Sequence, residues 1–341
     1  MAKRLLTGDR CNGVLHLGHY VGKLLPLLDA LAQDYDGFVM IADYHALTTN
    51  YAEPQSLRRY SREVALDYLA AGIDPVRHAV FIQSQVPEHL ELAYLLGALT
   101  PVSHLERVPT YKEKVAQIAD PPNLALLGYP VLMAADILIY RAEAVPVGDD
   151  QLPHLELTRE IARRFNRAYG LDLPEPQPVL SHVSRLRGLD GQAKMSKSLH
   201  NQIDLRMSAE ETAARIGSMA TDPQRVKRSD PGRPEVCNVF EYYRAFAADE
   251  AEATACECRR AARGCTACKQ RLAERINALL SAHRERRAEL AARPRLIEDA
   301  LTDGGRRARA VASATLARIH DRLGFSRLPE ERSYVPRGLL V

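Results

Sequence analysis

The sequence predicts an α/β protein in which a doubly wound parallel sheet is followed by a smaller, all-helical C-terminal domain. Short apolar runs alternate with longer amphipathic stretches through the first half of the chain. The connections between these runs are long enough for helical crossovers, which parallel strands require. Beyond Met207, Ala, Arg, Glu and Leu dominate, so almost every segment is compatible with a helix. A chain of 341 residues is long enough for two such domains, the first of them Rossmann-like.

Four strands are predicted in the first half, and each precedes a helix. The strands are "RLLTG", "GFVMIADYHAL", "HAVFIQS" and "AVPVG". The helices run from about Leu17 to Gln33 and over "SLRRYSREVALDYLAAG", "PEHLELAYLLGAL" and "DDQLPHLELTREIARRFN", where apolar residues recur with a period near that of an α-helix. A last helix near Arg306 to Leu323 is expected to pack back on the first domain.

A change in composition after Pro178 divides the chain. The stretch "SRLRGLDGQAKMSKSLHNQ" is polar, contains glycine and is rich in Lys and Ser, which is typical of a loop. We therefore predict a Rossmann-like domain over 1–185, a loop or linker over 186–202, a helical domain over 203–300, and a C-terminal helix with a tail over 301–341.

Composition excludes some classes of function. A net charge of +3 gives no global electrostatic argument for a partner, and "MAKRLLTGDR" lacks the apolar core of a secretory signal. The most apolar run, Asn123 to Tyr140, contains Pro130 and Asp136, so we expect a buried element of a soluble protein without a membrane partner. The expected location is the cytoplasm, where a reducing environment disfavours disulfides. Pro130 is placed where it could start a helix.

The motif "HLGH" follows the turn that leaves the first predicted strand. His16 and His19 are three residues apart and therefore lie on one face of a helix. A helix N-terminus at the carboxyl end of a strand offers free N–H groups to phosphates, and Gly18 allows a nucleotide to approach the backbone. The alternative is a glycine beside two surface histidines.

The motif "KMSKS", Lys194 to Ser198, lies in the loop between the two predicted domains. Two lysines three residues apart on a loop of small residues suit the clamping of a polyphosphate as charge moves onto the leaving group. A solvated Lys/Ser loop is the alternative for this motif in isolation.

Together, the two motifs resemble those of the class I aminoacyl-tRNA synthetases, which activate an amino acid with ATP and then charge a tRNA. The segments "GVLHLGHYVG", "ADYHALT" and "YPVLMAADILIYRAEAVPVGDDQLPHLELTRE" look specifically like the tryptophanyl family, and the resemblance covers roughly residues 5 to 330. It implies L-tryptophan, ATP with Mg²⁺, and tRNA(Trp) as ligands, a homodimer, a catalytic domain over 1–185 and an anticodon-binding domain over 203–300.

A buried acid predicts how tryptophan is selected. Tyr129, Met133 and Asp136 are spaced to share a helix face, and a carboxylate in so apolar a helix needs a hydrogen-bond donor. The indole N–H is such a donor, although a nearby backbone N–H is the plainer alternative. In the family, the counterparts of Tyr129 and Gln151 hold the α-amino group. The expected tryptophan site comprises Leu6, Arg10, His45, Tyr129, Met133, Asp136, Val145, Val147 and Gln151.

The resemblance also implies an ATP site and a set of catalytic groups. The catalytic candidates are His16, His19, Lys114, Lys194 and Lys197. The ATP site is expected to comprise Asp9, Arg10, Asn12, Gly13, His16, Gly18, His19, Gly148, Asp149, Asp150, Lys194, Met195, Ser196, Lys197 and Ser198. The chain departs from the family at Cys11 and Asn12, where relatives usually carry Pro then Ser or Thr, and at Arg10, where Gln is frequent. The charge of Arg10 could change the affinity for tryptophan and for analogue inhibitors.

Four clustered cysteines predict a metal site. Cys237, Cys258, Cys265 and Cys268 are separated by twenty, six and two residues, and four thiolates suit either tetrahedral zinc or an iron–sulfur cluster. A subset of bacterial tryptophanyl-tRNA synthetases carries a [4Fe–4S] cluster on a similar pattern, so that cluster is expected here, with zinc or no metal as alternatives. Cys256 is an alternative second ligand, and Cys11 is expected to be a free thiol.

Two other functions remain open from the sequence. A tyrosyl-tRNA synthetase has the same scaffold, but its pocket should offer a Tyr–Asp pair to the phenol rather than Met133 and Asp136. A synthetase-like regulatory protein would usually lose an ATP motif, whereas both motifs are intact here. From Arg259 to Arg309, fourteen Lys and Arg stand against six Asp and Glu, so this segment is the candidate tRNA contact, with a solvated helical surface as the alternative.

Overall fold

A sheet of five parallel strands forms the centre of the first domain. The computed structural model describes residues 3–117, 121–180, 186–193, 195 and 199–325. The strands are β1 (Lys3–Asp9), β2 (Tyr35–Ile41), β3 (Ala79–Ile82), β4 (Ala144–Val147) and β5 (Gln177–Leu180). Their order is β3-β2-β1-β4-β5, so the chain moves outward from β1 in both directions. The predicted doubly wound fold is confirmed, and its ligand crevice is expected beside the carboxyl end of β1.

Two strand predictions need correction. The apolar run "GFVMIADYHAL" is not one strand, because β2 ends at Ile41 and the helix Asp43–Asn50 follows at once. The strand β5 was not predicted, since Pro178 interrupts the pattern. Proline is tolerated there because β5 is an edge strand that pairs only with β4.

Fourteen α-helices lie within the described residues. Nine belong to the sheet-containing part: α1 (Leu17–His19), α2 (Leu25–Leu31), α3 (Asp43–Asn50), α4 (Gln55–Ala71), α5 (Glu88–Gly97), α6 (Val102–Glu106), α7 (Pro109–Gln117), α8 (Leu124–Ile139) and α9 (Leu152–Tyr169). Five follow the linker: α10 (Ala209–Gly217), α11 (Asn238–Phe246), α12 (Ala248–Arg259), α13 (Cys265–Ala291) and α14 (Pro294–Leu323). The segment Tyr20–Leu24 between α1 and α2 is a π-helical turn.

Helix α8 carries the apolar run, and most of its residues are buried within the protein. Asn123 is its N-cap and accepts a hydrogen bond of 2.8 Å from the backbone N–H of Leu126. Pro130 therefore lies inside the helix and does not start it, which corrects the prediction. Among the described helices, none is both long and apolar enough to cross a bilayer.

Helix α14 begins earlier than predicted and crosses the proposed domain boundary at residue 300. It starts at Pro294, runs to Leu323 and packs against β3 and α5. Gly304 permits this packing, because a Cβ at that position would lie 2.0 Å from the Val80 carbonyl oxygen.

Replacing Gly304 with alanine is therefore expected to destabilise the fold by about 1–3 kcal/mol, since backbone atoms must move to admit the methyl group. Urea unfolding measures the change. Gly97→Ala is the matched control, because a Cβ there meets no atom of the described residues within 4 Å. Equal free energies of unfolding for the two variants would contradict the proposed packing constraint.

Candidate active site

The turn after β1 leads directly into the "HLGH" helix. Gly13 has a φ of +135°, a backbone conformation that favours glycine. Asp9, at the end of β1, accepts hydrogen bonds from the Lys23 ammonium at 2.7 Å and the Tyr68 hydroxyl at 2.6 Å. Burial alone would raise the pKa of Asp9, but Lys23 and His19 lower it below its usual range. Asp9, a predicted ATP ligand, therefore also links β1 to α4 through Tyr68 and to the π-helical turn through Lys23.

The rings of the two histidines of the motif lie against each other at a tilt of 40° at the start of α1. Their ring centroids are 3.8 Å apart, and His19 Nδ1 lies 3.2 Å from the backbone nitrogen of His16. The backbone on either side is held by the chain after the second motif. Leu17 donates to the Ile203 carbonyl at 2.8 Å, and Leu205 donates to the Leu15 carbonyl at 3.0 Å. The helix start and the end of the linker are therefore joined.

The structure brings the second motif to the first through its methionine. Met195 is buried, and its sulfur lies 3.4 Å from the backbone nitrogen of Gly18. A Cβ on Gly18 would approach the His16 ring to 3.1 Å and the Met195 sulfur to 3.6 Å. The other predicted ligands of this motif, Lys194, Ser196, Lys197 and Ser198, lie outside the described residues.

Asp136 is buried, but the protein itself supplies its hydrogen-bond donors. Its Oδ2 lies 2.7 Å from His45 Nε2, and its Oδ1 lies 2.6 Å from His89 Nδ1 and 2.8 Å from Gln83 Nε2. Protein side chains therefore satisfy most of this carboxylate, and neither a ligand nor a backbone N–H is needed to make its burial possible. His89 in turn contacts the Tyr140 hydroxyl at 2.7 Å. Gln83 and His89 were missed by sequence reasoning, since nothing in their spacing links them to position 136.

The charge of this carboxylate is stabilised in place. Burial alone would raise the pKa of Asp136, but His45 and His89 outweigh that effect and lower it to about 2. Three protein contacts leave one of the roughly four acceptor positions of a carboxylate for another donor. The arrangement therefore fixes an ionised acceptor in the interior, between α3, α5 and α8.

Tyr129 lies in a second polar cluster beside the acid. Its hydroxyl is 2.6 Å from Thr110 Oγ1, which is 2.7 Å from His154 Nε2. The Lys114 ammonium lies 4.3 Å from the centroid of the Tyr129 ring, and burial together with Arg10 lowers the pKa of Lys114 to about 8. Thr110 and His154 were also missed, because nothing in their spacing along the chain links either of them to Tyr129.

The remaining predicted site residues fall into three groups. Leu6 and Val145 are buried, with Met133 and Val147 packed against the same apolar cluster. Gln151 donates to Asp150 at 3.2 Å in the turn that follows Gly148. Arg10 donates to Thr49 at 2.5 Å, whereas Asn12 and Asp149 are exposed.

The four cysteines converge at the junction of three helices. Cys237 is the N-cap of α11, Cys258 lies in the last turn of α12, and Cys265 and Cys268 lie in the first turn of α13. A guanidinium nitrogen of Arg225 lies 3.7 Å from the Cys258 sulfur and 3.8 Å from the Cys265 sulfur. In the part of the chain that the structure describes, no three Cys, His, Asp or Glu side chains are arranged to hold a metal ion. Four thiols suit a cluster chemically, but their present geometry is not that of ligands.

Burial raises the pKa of two thiols at this junction, Cys258 and Cys268. Burial raises the pKa of Cys268 to about 11, and Cys237 and Cys258 add to the rise, although a hydrogen bond with Tyr243 opposes it. Cys256 is exposed and Cys11 is buried, and both are free thiols.

Much of the positive charge between residues 259 and 309 is paired. Eight of its arginines form ion pairs with acidic side chains, namely Arg259, Arg263, Arg271, Arg275, Arg287, Arg306, Arg307 and Arg309. The excess charge counted in the sequence therefore overstates what this segment presents to an anion. Arg260, Arg286, Arg293 and Arg295 are exposed.

The sheet order, the histidine-bearing helix start and the buried methionine of the second motif define the class. The family of class I tRNA synthetases for W and Y matches residues 2–281, and this chain is a class I aminoacyl-tRNA synthetase. The chain is 46% identical over 332 residues to the tryptophan–tRNA ligase of Treponema pallidum, covering 96% of this chain and 98% of that one. The ligase of Thermotoga maritima is 45% identical over 320 residues, with coverages of 93% and 97%.

A solved structure leads to the same assignment. The tryptophanyl-tRNA synthetase of Campylobacter jejuni, crystallised with ADP and tryptophan, superimposes with a TM-score of 0.83 at 35% identity over 94% of this chain and 100% of that chain. Within the class, the chain belongs to the tryptophan–tRNA ligases. The predicted family and enzymatic activity are confirmed.

Proposed function

We propose that this chain activates L-tryptophan with ATP between α1 and the "KMSKS" loop, and then transfers it to tRNA(Trp). The contact of Met195 with Gly18 carries the proposal, because this one described residue of the second motif lies against the helix N-terminus that suits a polyphosphate. His16 and His19 would line the phosphates and ribose. Lys194 and Lys197, with Mg²⁺, would stabilise the departing pyrophosphate. No protein nucleophile is required, since positioning and charge stabilisation drive this chemistry.

The amino acid would lie between the two polar clusters beside α8. The acceptor position of Asp136 that remains would receive the indole N–H, with Met133, Val145, Val147 and Leu6 as the apolar wall. Tyr129 and Gln151 would hold the α-ammonium group, and Arg10 would face the carboxylate. The distances from Asp136 to His45 and His89 support this assignment, because they hold the carboxylate ionised and fixed.

Pyrophosphate exchange tests the proposal directly. The purified chain should catalyse exchange with tryptophan and not with tyrosine, and it should charge tRNA(Trp). Exchange with tyrosine instead would identify the tyrosyl alternative, and the absence of exchange with either amino acid would support a regulatory protein. Either result would contradict the proposed function.

For the cysteines we propose a structural [4Fe–4S] cluster held by Cys237, Cys258, Cys265 and Cys268, with zinc as the alternative metal. Convergence of the four thiols from three helices supports it, although Arg225 must leave the space between Cys258 and Cys265. The cluster would fasten α11, α12 and α13 together and orient the exposed arginines towards the tRNA anticodon.

Anaerobically purified protein is expected to contain iron and sulfide and to lose both in Cys265→Ser. Metal analysis and visible absorbance measure this. Cys11→Ser should keep the metal, and Cys256→Ser tests the alternative second ligand. Zinc without iron would identify the alternative metal, whereas neither metal in the wild-type protein would contradict the site.

We also propose a homodimer acting in the cytoplasm. Leu90 and Tyr94 lie on one face of α5 and are 44% and 80% exposed, an apolar surface that a second copy could cover. Tyr94→Glu is expected to shift the mass measured by light scattering towards the monomer. Val226→Glu, at a position 84% exposed in the helical part, should leave the mass unchanged. A wild-type monomer would contradict the proposal.

A further inference from the structure

We propose that Thr110 and His154 are positioning residues that orient the Tyr129 hydroxyl as a hydrogen-bond acceptor for the ammonium group of the amino acid. The proposal rests on the role of Tyr129 in the function proposed above and assigns two residues that the predicted site does not contain. Neither residue needs to touch the substrate, because both act through the phenol.

Three polar atoms form a closed triangle at this position. Thr110 Oγ1 lies 2.6 Å from the Tyr129 hydroxyl and 2.7 Å from His154 Nε2, and the third side, from Tyr129 to His154, measures 3.2 Å. The Tyr129 and His154 side chains are buried, and their rings meet edge to face at 5.3 Å. The Tyr129 hydroxyl is therefore held in place by one residue of α7 and one residue of α9.

The proton positions in this triangle decide what Tyr129 can bind. When His154 Nε2 carries no proton, it accepts the Thr110 hydroxyl, Thr110 accepts the Tyr129 hydroxyl, and the phenol oxygen keeps its lone pairs for an ammonium group. When Nε2 is protonated, the chain reverses, and the Tyr129 proton would point at the substrate. An ammonium group has no acceptor for that proton, so only the first arrangement binds it.

The surroundings keep both rings uncharged, as the first arrangement requires. Burial lowers the pKa of His154 to about 4, with Lys114 adding to the effect, so the imidazole is neutral at physiological pH. Burial also raises the pKa of Tyr129, which therefore keeps its proton. A neutral imidazole carries one proton, and the first arrangement places it on His154 Nδ1, which has no hydrogen-bond partner among the described residues. Binding of the ammonium group must therefore select this tautomer against the cost of that unpaired N–H.

The nearby cations make an oriented acceptor necessary. The Lys114 ammonium lies 4.3 Å from the Tyr129 ring centroid. The Arg10 guanidinium is close enough to help lower the pKa of Lys114 and to oppose the rise that burial causes in the pKa of Tyr129. A substrate ammonium entering beside these charges is repelled, and a phenol proton directed at it would add to the repulsion. A lone pair of the Tyr129 hydroxyl directed at the ammonium group offsets this repulsion.

Thr110→Val removes the relay hydroxyl at nearly constant volume, and Thr110→Ser retains it. The first readout is the KM for tryptophan in pyrophosphate exchange. The second is the inhibition constant of indole-3-propionate, which has the indole ring and carboxylate of tryptophan but no ammonium group. Thr110→Val should raise the KM for tryptophan roughly 10- to 100-fold, as expected for losing a hydrogen bond to a charged group. The inhibition constant should change less than threefold, and Thr110→Ser should resemble the wild type.

A purely structural role predicts a different pattern. In that case Thr110→Val would weaken tryptophan and indole-3-propionate equally, or neither, and the proposal would be overturned. His154→Leu provides the second variant, with the same expected separation of the two ligands, should Thr110→Val fail to fold. Wild-type protein that shows no exchange with tryptophan would instead refute the proposed function, so the two failures are distinguishable.

Discussion

Asp136→Asn is expected to lower kcat/KM for tryptophan by at least about 100-fold while also destabilising the fold. The carboxylate receives contacts from His45, His89 and Gln83, and an asparagine amide offers one oxygen where two are needed. Its NH₂ group would face a donor, leaving buried polar groups unsatisfied. Breaking a buried charge network in this way costs about 3–5 kcal/mol. Pyrophosphate exchange and urea unfolding measure the two effects separately.

The pH dependence of stability follows from the same contacts. The pKa of Asp136 is about 2 in the folded protein against an ordinary value of 3.8, so the folded state binds its proton less readily. The stabilisation is fully present above about pH 4 and is lost as the pH falls towards 2. A shift of this size corresponds to roughly 2–3 kcal/mol. The free energy of unfolding of Asp136→Asn should therefore decrease less than that of the wild type between pH 4 and pH 2.

Asp172→Asn is a suitable control for both measurements. Asp172 is 64% exposed at its side chain and pairs with Arg141 and Arg318 on the surface, where such contacts contribute about 1 kcal/mol or less. This variant should retain both activity and acid stability. If Asp136→Asn kept the wild-type preference for tryptophan over tyrosine, the proposed recognition of the indole N–H would be wrong.

Lys114→Met is expected to slow adenylate formation by roughly 100- to 1,000-fold, the usual effect of removing one group that stabilises transition-state charge. Lys114 projects from α7 over the Tyr129 ring, beside Arg10. Because its cation would act on the triphosphate, kcat should fall while the KM for tryptophan changes less than tenfold. Pre-steady-state formation of the adenylate separates the two quantities.

The pH profile gives an independent measure of this lysine. Burial and Arg10 lower the pKa of Lys114 to about 8, so the proportion of its cation declines as the pH rises through that value. The wild-type rate of adenylate formation should fall above about pH 8. In Lys114→Arg the side chain should stay charged, and the fall in rate should begin at a higher pH. Lys112→Met, at an exposed position on the same helix, is the matched control and should resemble the wild type. Equal losses in both methionine variants would contradict a specific role.

The sequence by itself determined the alternation of β1 to β4 with helices and the two motifs, because both depend on residues close together in the chain. Apolar periodicity is a local property, so the predicted helix over "SLRRYSREVALDYLAAG" corresponds closely to α4 and ends as expected at Gly72 in a left-handed conformation. A motif likewise carries its chemistry in residue types and spacing. This local information sufficed for the fold class and the family.

Only the tertiary structure decided which groups meet in space. The partners of Asp136 lie 91, 53 and 47 positions away, on α3, the turn after β3, and α5. The strand β5 could be recognised only once its edge position showed why Pro178 is tolerated. Arginines after Cys258 are paired with acidic residues far away in the sequence, such as Glu63 and Glu88, and these ion pairs offset the excess positive charge of that segment. Hydrogen bonds and ion pairs depend on distances of a few ångströms between folded elements, and no periodicity in the chain encodes those distances.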